Sequence, residues 1–442
     1  MHSSLVVGAG ISGLSAAVLL ARTGASVQLW EAGEGSGGLL QPVHFQGVPC
    51  DRGSHRVHPE SHPLLRELTT SAGWIRRPRQ GLLLLGGKSI PYPPSPSAFL
   101  RGLGFQTALS MGLGFATRPK QRIAFRTWER DRSRLPLEDK GFEAFVVARV
   151  GRSAYRQFYK PYVEKVWGMS PTEISQTVAK QRISTSNPLN TLRRSLTSAA
   201  ATDKTFLYPQ DGLGVLIDNL RQSAVDLGVR IHSSRRFERH TTHSEFDTIL
   251  YSGHLPSLIP EVGLSHRGLY ILHLAFPKGY VRPNDTWYAP ESKYWFGRVS
   301  QPSRFSPRLT TQTEDIICVE IPEGKWGPEQ DFLAKMDKII EQLVDARILS
   351  EATTTTAQRQ TWIPNVYPIY RRGWFGKWQQ AMQTLKTMGP IYPIGRQGLF
   401  LHCNMDHCVF IASEAVEYIS AGRSSTEWIA HCPNFLDLRV RD

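Results

Sequence analysis

Long hydrophobic runs, closely spaced cysteines, internal repeats and acidic side chains are all scarce in this chain, and each shortage excludes something. No uninterrupted apolar stretch is long enough to span a bilayer as a helix. The nearest, Phe99 to Ala116, is broken by Arg101 and Gln106 and holds four glycines, so it reads as a pair of helical pieces rather than an anchor. The five cysteines, Cys50, Cys318, Cys403, Cys408 and Cys432, show no CxxC spacing. That pattern fits reduced thiols in a cytosolic protein and fits a metal site poorly. The first strand begins almost at Met1, leaving no signal peptide ahead of it, and the expected location is cytoplasmic. Without low-complexity tracts or a repeat period, the 442 residues read as a globular chain of about three domain-sized units.

Acidic residues number 38 against 52 lysines and arginines, a net charge of +14. Arginines cluster at Arg76-Arg77, Arg118 to Arg134, Arg193-Arg194, Arg235-Arg236 and Arg371-Arg372. Such a balance favours an anionic partner: a phosphorylated or carboxylated small molecule, a peripheral contact with an anionic membrane surface, or nucleic acid. No basic motif with interleaved aromatics is present, so no nucleic-acid partner is expected.

What the chain does contain begins at its N-terminus. Leu5 to Val7 reads as a buried strand, Gly8, Gly10 and Gly13 as a tight turn, and Leu14 to Ala21 as the helix that follows. This is a dinucleotide cradle. Gly8 permits the turn, Gly10 admits a pyrophosphate close to the backbone, and Gly13 lets helix and strand pack, with the phosphates on the helix N-terminus. Ile11 and Ser12 lie within the turn. A second strand, Ser26 to Trp30, ends at Glu31, 18 residues after Gly13, where a carboxylate can accept a hydrogen bond from a ribose 2′-hydroxyl. Ala32 follows it. By itself this turn leaves NAD and FAD equally open. A second glycine loop, Gly33 to Leu39 with its Gly37-Gly38 pair, suits a longer dinucleotide lying across the sheet and disfavours an NAD-linked dehydrogenase.

With that loop the chain resembles the superfamily of flavin amine oxidases, protoporphyrinogen oxidases and UDP-galactopyranose mutases. The resemblance implies FAD, held non-covalently. Asp51-Arg52-Gly53-Ser54-His55 resembles the superfamily's DxGxH segment, which makes His55 a candidate catalytic proton carrier or flavin contact; a histidine bonded to backbone is the plain alternative. Tyr159 to Pro171 resembles the mutase segment GYTEKQWG, which carries a substrate role onto Tyr162 and Trp167, with Lys165 between them. The same residues also suit an ordinary core helix with a proline stop. Phe206 to Leu216 resembles YPxGGLGxL. Tyr367-Pro368 and Gly395-Arg396 through Met405-Asp406 resemble the mutase C-terminal signature, implying that Gly395, Arg396, Met405 and Asp406 meet the flavin, with Arg396 a second catalytic candidate. Tyr367, Tyr370 and Arg371 complete the expected substrate set. The chain departs from its relatives at Leu39, where arginine or lysine often follows the glycine pair. It departs again at His402-Cys403, where mutases carry tyrosines, and at Tyr370-Arg371-Arg372, which replaces an asparagine pair.

The fold expected is α/β: a Rossmann-type FAD-binding domain of the glutathione-reductase-like kind with an inserted α+β substrate domain. The FAD domain would be discontinuous, from 1–75, 200–260 and 376–442. A mainly helical substrate domain would span 76–199, with helices near Pro96 to Met111, Leu137 to Val150 and Ser153 to Phe158, and a sheet-containing cap 261–375. The function expected is an FAD-dependent oxidoreductase acting on an anionic small molecule. The alternatives are a redox-neutral mutase acting on a nucleotide sugar and a non-catalytic flavoprotein scaffold or membrane-surface binder.

Overall fold

The computed structural model describes residues 2–92, 110, 139–182, 204–239, 245–438 and 440. Its centre is β1 (Ser3–Val7), where Leu5 and Val6 are wholly buried. A strand covered on both faces has no polar side to show, which is why Leu5-Val6-Val7 runs apolar without alternation. It lies third in a five-stranded parallel sheet of order Ile391–Pro393, Thr248–Tyr251, Ser3–Val7, Ser26–Trp30, Arg230–His232. Three separate stretches of chain, 3–30, 230–251 and 391–393, thus build one sheet. The cradle helix α1 (Ile11–Arg22) is buried along Leu14, Ala16, Ala17, Val18 and Leu20, and it packs against the helices Gly214–Asp226 and Met405–Ser420. Small Ala16 and Ala17 let those helices approach.

A second sheet of seven strands has the order Ala357–Pro368, His266–Pro277, Glu314–Pro322, Arg298–Ser300, Thr286–Tyr288, Gly81–Leu85, Lys88–Tyr92. All its pairs are antiparallel except that of Thr286–Tyr288 with Gly81–Leu85. Its core contains Trp287, Phe296, Phe276 and Tyr270, closed off by Phe332, Ile339 and Leu343. The last two come from the amphipathic helix Met336–Asp345.

Several expectations need correcting. The segment from 76 onward opens with the hairpin 81–92, whose turn at Gly86-Gly87 has φ of +60° and +71°. Strand Trp74–Pro78, which pairs with Thr205–Pro209, crosses the boundary placed at 76. In place of one helix from Ser153 to Phe158, a turn at Arg152–Ala154 leads through a π-helical stretch, Tyr155–Tyr159, into helix Lys160–Trp167. That helix stops at Gly168, in the left-handed conformation at φ +62°, before Pro171 is reached. A Cβ on Gly168 would lie 2.5 Å from the Gly324 carbonyl oxygen, so a close backbone crossing as well as the turn requires glycine. The last parallel strand ends at Pro393, and Gly395–Gly398 is a helical turn. Apart from Ser110, the stretches 96–111 and 99–116 lie outside the described residues, as do 118–134 and Arg193-Arg194. Among the described residues no helix is long and apolar enough to cross a membrane.

Candidate active site

The C-terminal ends of the parallel strands open onto one continuous cavity of about 690 Å³. At one end it is the cradle. Gly8 has φ +96°, and its N–H donates to the Trp30 carbonyl at 2.7 Å. A Cβ at Gly13 would stand 1.8 Å from the Gly8 oxygen, whereas one at Gly10 would meet nothing nearer than the Gly37 oxygen at 4.0 Å. Gly13 is therefore glycine for packing, and Gly10 for the space it leaves on the ligand side. The second glycine loop docks on the first: the Gly37 N–H donates to the Ala9 carbonyl at 2.8 Å, and Gly10 and Gly37 form a parallel bridge. Glu31 ties the two loops together, its Oε2 accepting from the Ala9 N–H at 2.7 Å and its Oε1 from the Gly33 N–H at 2.8 Å. Carboxylate oxygens carry further lone pairs, so the acid can still accept a ribose hydroxyl.

Ile11, Ser12, Ala32, Gly38 and Leu39 also line this end. Sequence reasoning missed the other wall, where Arg235, Arg236 and Phe237 follow the neighbouring strand. The Arg235 guanidinium lies over the Trp30 ring, 3.6 Å from its centroid, a cation–π contact that places a positive charge at this end of the cavity. Ser252 and His254, after the strand Thr248–Tyr251, were missed as well. Their signal is position: in a parallel sheet the residues just past the strand ends meet the ligand.

The C-terminal return closes the cavity from above. Gly395, at φ +68°, passes so close to α1 that a Cβ there would stand 2.1 Å from the Ser12 Oγ. Arg396 lines the cavity. Its Nε and Nη2 donate to the Val366 carbonyl at 3.2 and 2.7 Å, and its Nη1 to the Cys403 carbonyl at 2.9 Å. Met405 opens the helix Met405–Ser420 at the cavity wall, whereas Asp406 turns away and accepts from the His62 N–H at 3.0 Å. Gly13, Gly395 and Asp406 thus support the cavity from behind its lining.

Beyond the cradle the cavity widens into an aromatic chamber. Tyr162 packs edge-on to Trp167, Trp167 lies against Tyr367, and Tyr367 stacks on His402, with centroids 6.5, 6.5 and 6.1 Å apart. Tyr92, Phe142, Phe158 and Tyr288 face the same space. On the remaining wall, Glu320 is 3% exposed and grips Arg298 in a two-pronged ion pair, Nε to Oε1 at 2.7 Å and Nη2 to Oε2 at 2.8 Å. The Glu320 Oε1 also accepts from the Ser54 N–H at 2.7 Å. His55 is thereby fixed between Arg298, Glu320 and Arg396; burial first, then the Arg298 charge, pushes its imidazole down to about 4. It is neutral at pH 7, and the lowered pKa makes it a weak base there. Both members of the ion pair escaped sequence reasoning, although a charged residue inside Val319-Glu320-Ile321 signals a buried partner.

Three expected substrate residues do not border the chamber. The Lys165 ammonium donates to the Ala289 and Phe296 carbonyls at 2.6 and 3.1 Å, and burial lowers its pKa to about 7. Tyr370 is 1% exposed, its hydroxyl donating to the Phe400 carbonyl and accepting from the His402 N–H. Arg371 is exposed and pairs with Glu173 at 2.9 Å. Tyr370 thus serves the site at one remove, by holding the backbone of His402.

Residues 6–71 match the model of the NAD(P)-binding Rossmann-like domain. By sequence, no curated protein matches the chain. Among solved structures, reduced UDP-galactopyranose mutase superposes with a TM-score of 0.79 at 19% identity, over 100% of both chains. A protein from Exiguobacterium sp. 255-15, provisionally named protoporphyrinogen oxidase, gives 0.67 at 18% identity over 96% of this chain and 99% of its own. Putrescine oxidase bound to putrescine gives 0.64 at 14% identity over 95% and 99%. From the cradle to the closing helix, the chain has the fold that these three structures share, with an NAD(P)-binding Rossmann-like domain at its start.

Proposed function

We propose that this chain is an FAD-dependent oxidoreductase that binds its flavin non-covalently and oxidises a small molecule held in the aromatic chamber. The observation that carries the reading is continuity: the glycine cradle and the aromatic chamber are two ends of one cavity. A single long ligand can therefore lie with its diphosphate on α1 and its reactive ring beside the substrate. The glycines fit such a ligand, since a Cβ on Gly10 or Gly38 would meet only the facing glycine loop, at 4.0 and 3.6 Å.

In this reading Gly8, Gly10 and the N-terminus of α1 hold the diphosphate. Glu31 and Arg235 hold the adenosine end, and Arg396, Met405 and the chamber wall frame the flavin end. The flavin, when bound, supplies the two-electron chemistry. The protein's own part is to orient the substrate between Tyr162, Trp167 and Tyr367, to exclude water with aromatic surface, and to hold His55 as a neutral hydrogen-bonding contact. Lys165 and Arg371 are engaged elsewhere, and Arg56 and Arg298 are paired with Asp285 and Glu320. An anionic group on the substrate would therefore be met by Arg52 and Arg396, which also line the cavity, against a chamber otherwise suited to an apolar body.

The visible absorption spectrum of the purified protein tests the central claim: flavin bands are expected, and a colourless protein that FAD cannot reconstitute would overturn it. The whole-chain likeness to a mutase favours a second reading, sugar isomerisation by the reduced enzyme. Incubation of pre-reduced protein with UDP-galactopyranose separates the two. A ring-contracted product supports the mutase; none at any enzyme concentration removes it.

A further inference from the structure

Two cysteines flank the start of the closing helix with their sulfurs 3.6 Å apart. Asn404 caps this helix, so Cys403 occupies the position before the cap and Cys408 the fourth helical position. Those two positions meet in the hydrophobic staple that fixes how a chain enters a helix. Packing alone therefore accounts for the contact, and two aliphatic side chains would serve it equally well.

The surroundings ask for more than packing. Both cysteines line the cavity although they are only 4% and 5% exposed, so they border ligand space. Cys408 lies in the first turn of the helix, where the helix N-terminus favours a thiolate. The hydrogen bond from the Cys403 thiol lowers its pKa, burial opposes this, and the Ser12 hydroxyl and the Arg396 N–H lower it further, to about 7. Cys403 moves the other way, well above 9, through its bond to Cys408 and through burial, with Asp406 adding to the rise and Arg396 opposing it. One sulfur is thus poised as a nucleophile and its neighbour keeps the proton.

We propose that Cys403 and Cys408 form a reversible two-electron dithiol/disulfide couple whose electron partner is the flavin ring bound in the same cavity, an inference that rests on the flavin reading above. Bringing the sulfurs to bonding distance, about 2.05 Å, needs an approach of roughly 1.5 Å. In the forward direction both S–H bonds break and one S–S bond forms. Two protons are released, and two electrons pass to the oxidised flavin, which is the oxidant. In reverse, the reduced flavin returns two electrons and the sulfurs regain two protons. The couple would let the protein store a second pair of electrons beside its cofactor.

Two measurements on the purified full-length protein test this. After equilibration in glutathione redox buffers and acid quenching, maleimide labelling of the denatured chain should count five thiols at reducing ratios and two fewer at oxidising ratios. Peptide mapping should place the lost pair at Cys403 and Cys408. Anaerobic dithionite titration of the oxidised holoprotein should then consume four electron equivalents, against two for Cys408→Ser or Cys403→Ser and four for the control Cys432→Ser. Full labelling at every glutathione ratio refutes the couple whatever the flavin does. A disulfide accompanied by a two-equivalent titration of the unsubstituted protein refutes the flavin as its partner. A protein that binds no flavin instead refutes the functional reading, and with it the electron partner, while the thiol count still reports on the couple itself.

Discussion

Replacing Glu320 by glutamine tests the ion pair at the chamber wall. The carboxylate satisfies three donors, the Nε and Nη2 of Arg298 and the Ser54 N–H. Glutamine keeps one acceptor oxygen for Ser54 but turns an NH₂ toward the guanidinium, leaving a largely buried cation without its counter-charge. Breaking such a pair on one side costs about 3–5 kcal/mol. Unfolding entropy is about 2.1 cal/mol/K per residue, so 442 residues unfolding as one unit give roughly 0.9 kcal/mol/K, and Tm falls by about 3–5 °C. Arg298→Met should fall by a similar amount, because it strands the carboxylate. The double variant, Glu320→Gln with Arg298→Met, should regain much of the loss, since neither charge remains to be solvated. Calorimetry at pH 7.5 on all four proteins closes the cycle. Single variants within about 1 °C of the parent, or a double variant as unstable as the summed singles, would refute the claim that the pair is coupled.

The cradle and the buried histidine give two further tests. Gly13→Ala places a Cβ 1.8 Å from a backbone oxygen and should weaken FAD binding at least about 100-fold, or ~2.7 kcal/mol, by fluorescence quenching. Gly86→Ala, at φ +60° with nothing within 4 Å, should leave binding unchanged, and equal affinities for the two variants would refute the packing argument. His55 titrates near 4 in the fold against about 6.5 unfolded, so the unfolded chain takes up a proton that the folded one refuses. Its stabilising contribution is present above about pH 6.5 and is lost as the pH falls through about 4. NMR of the His55 ring should show it neutral at about pH 5.5; a midpoint above about 6 would remove the argument for burial.

The cradle was legible because all its information is local: a strand, three glycines, a helix and an acid follow one another within thirty residues, and each constrains the backbone directly. The chamber was legible only in part. Tyr162, Trp167 and Tyr367 face it. Lys165 does not, because side chains two apart on a helix point to nearly opposite sides, and the side that carries Trp167 turns Lys165 toward the carbonyls of 289 and 296. Tyr370 and Arg371 lie beyond the end of the strand Ala357–Pro368, where its alternation no longer orients them. Arg298 and Glu320 meet because two strands pair in the register that sets 298 opposite 320. No local pattern announces that register. Arg235 is a similar case, brought over Trp30 by the parallel pairing of Ser26–Trp30 with Arg230–His232.

The order of strands in the parallel sheet has a consequence for biogenesis. The central strand and the glycine turn are the first part of the described chain to be made, but the strand Ile391–Pro393, the Gly395 crossing over Ser12 and the helix that begins at Met405 are among the last. At about 5–20 residues per second, synthesis takes roughly 20–70 s to travel from Glu31 to Ile391. During that interval the cradle stands open on one side, its apolar helix α1 lacking the closing helix that later covers it. In the FAD reading, capture of the dinucleotide would therefore follow the docking of the closing helix on α1. Cofactor supply and protection of the waiting helix by chaperones should then govern how much active protein a cell recovers.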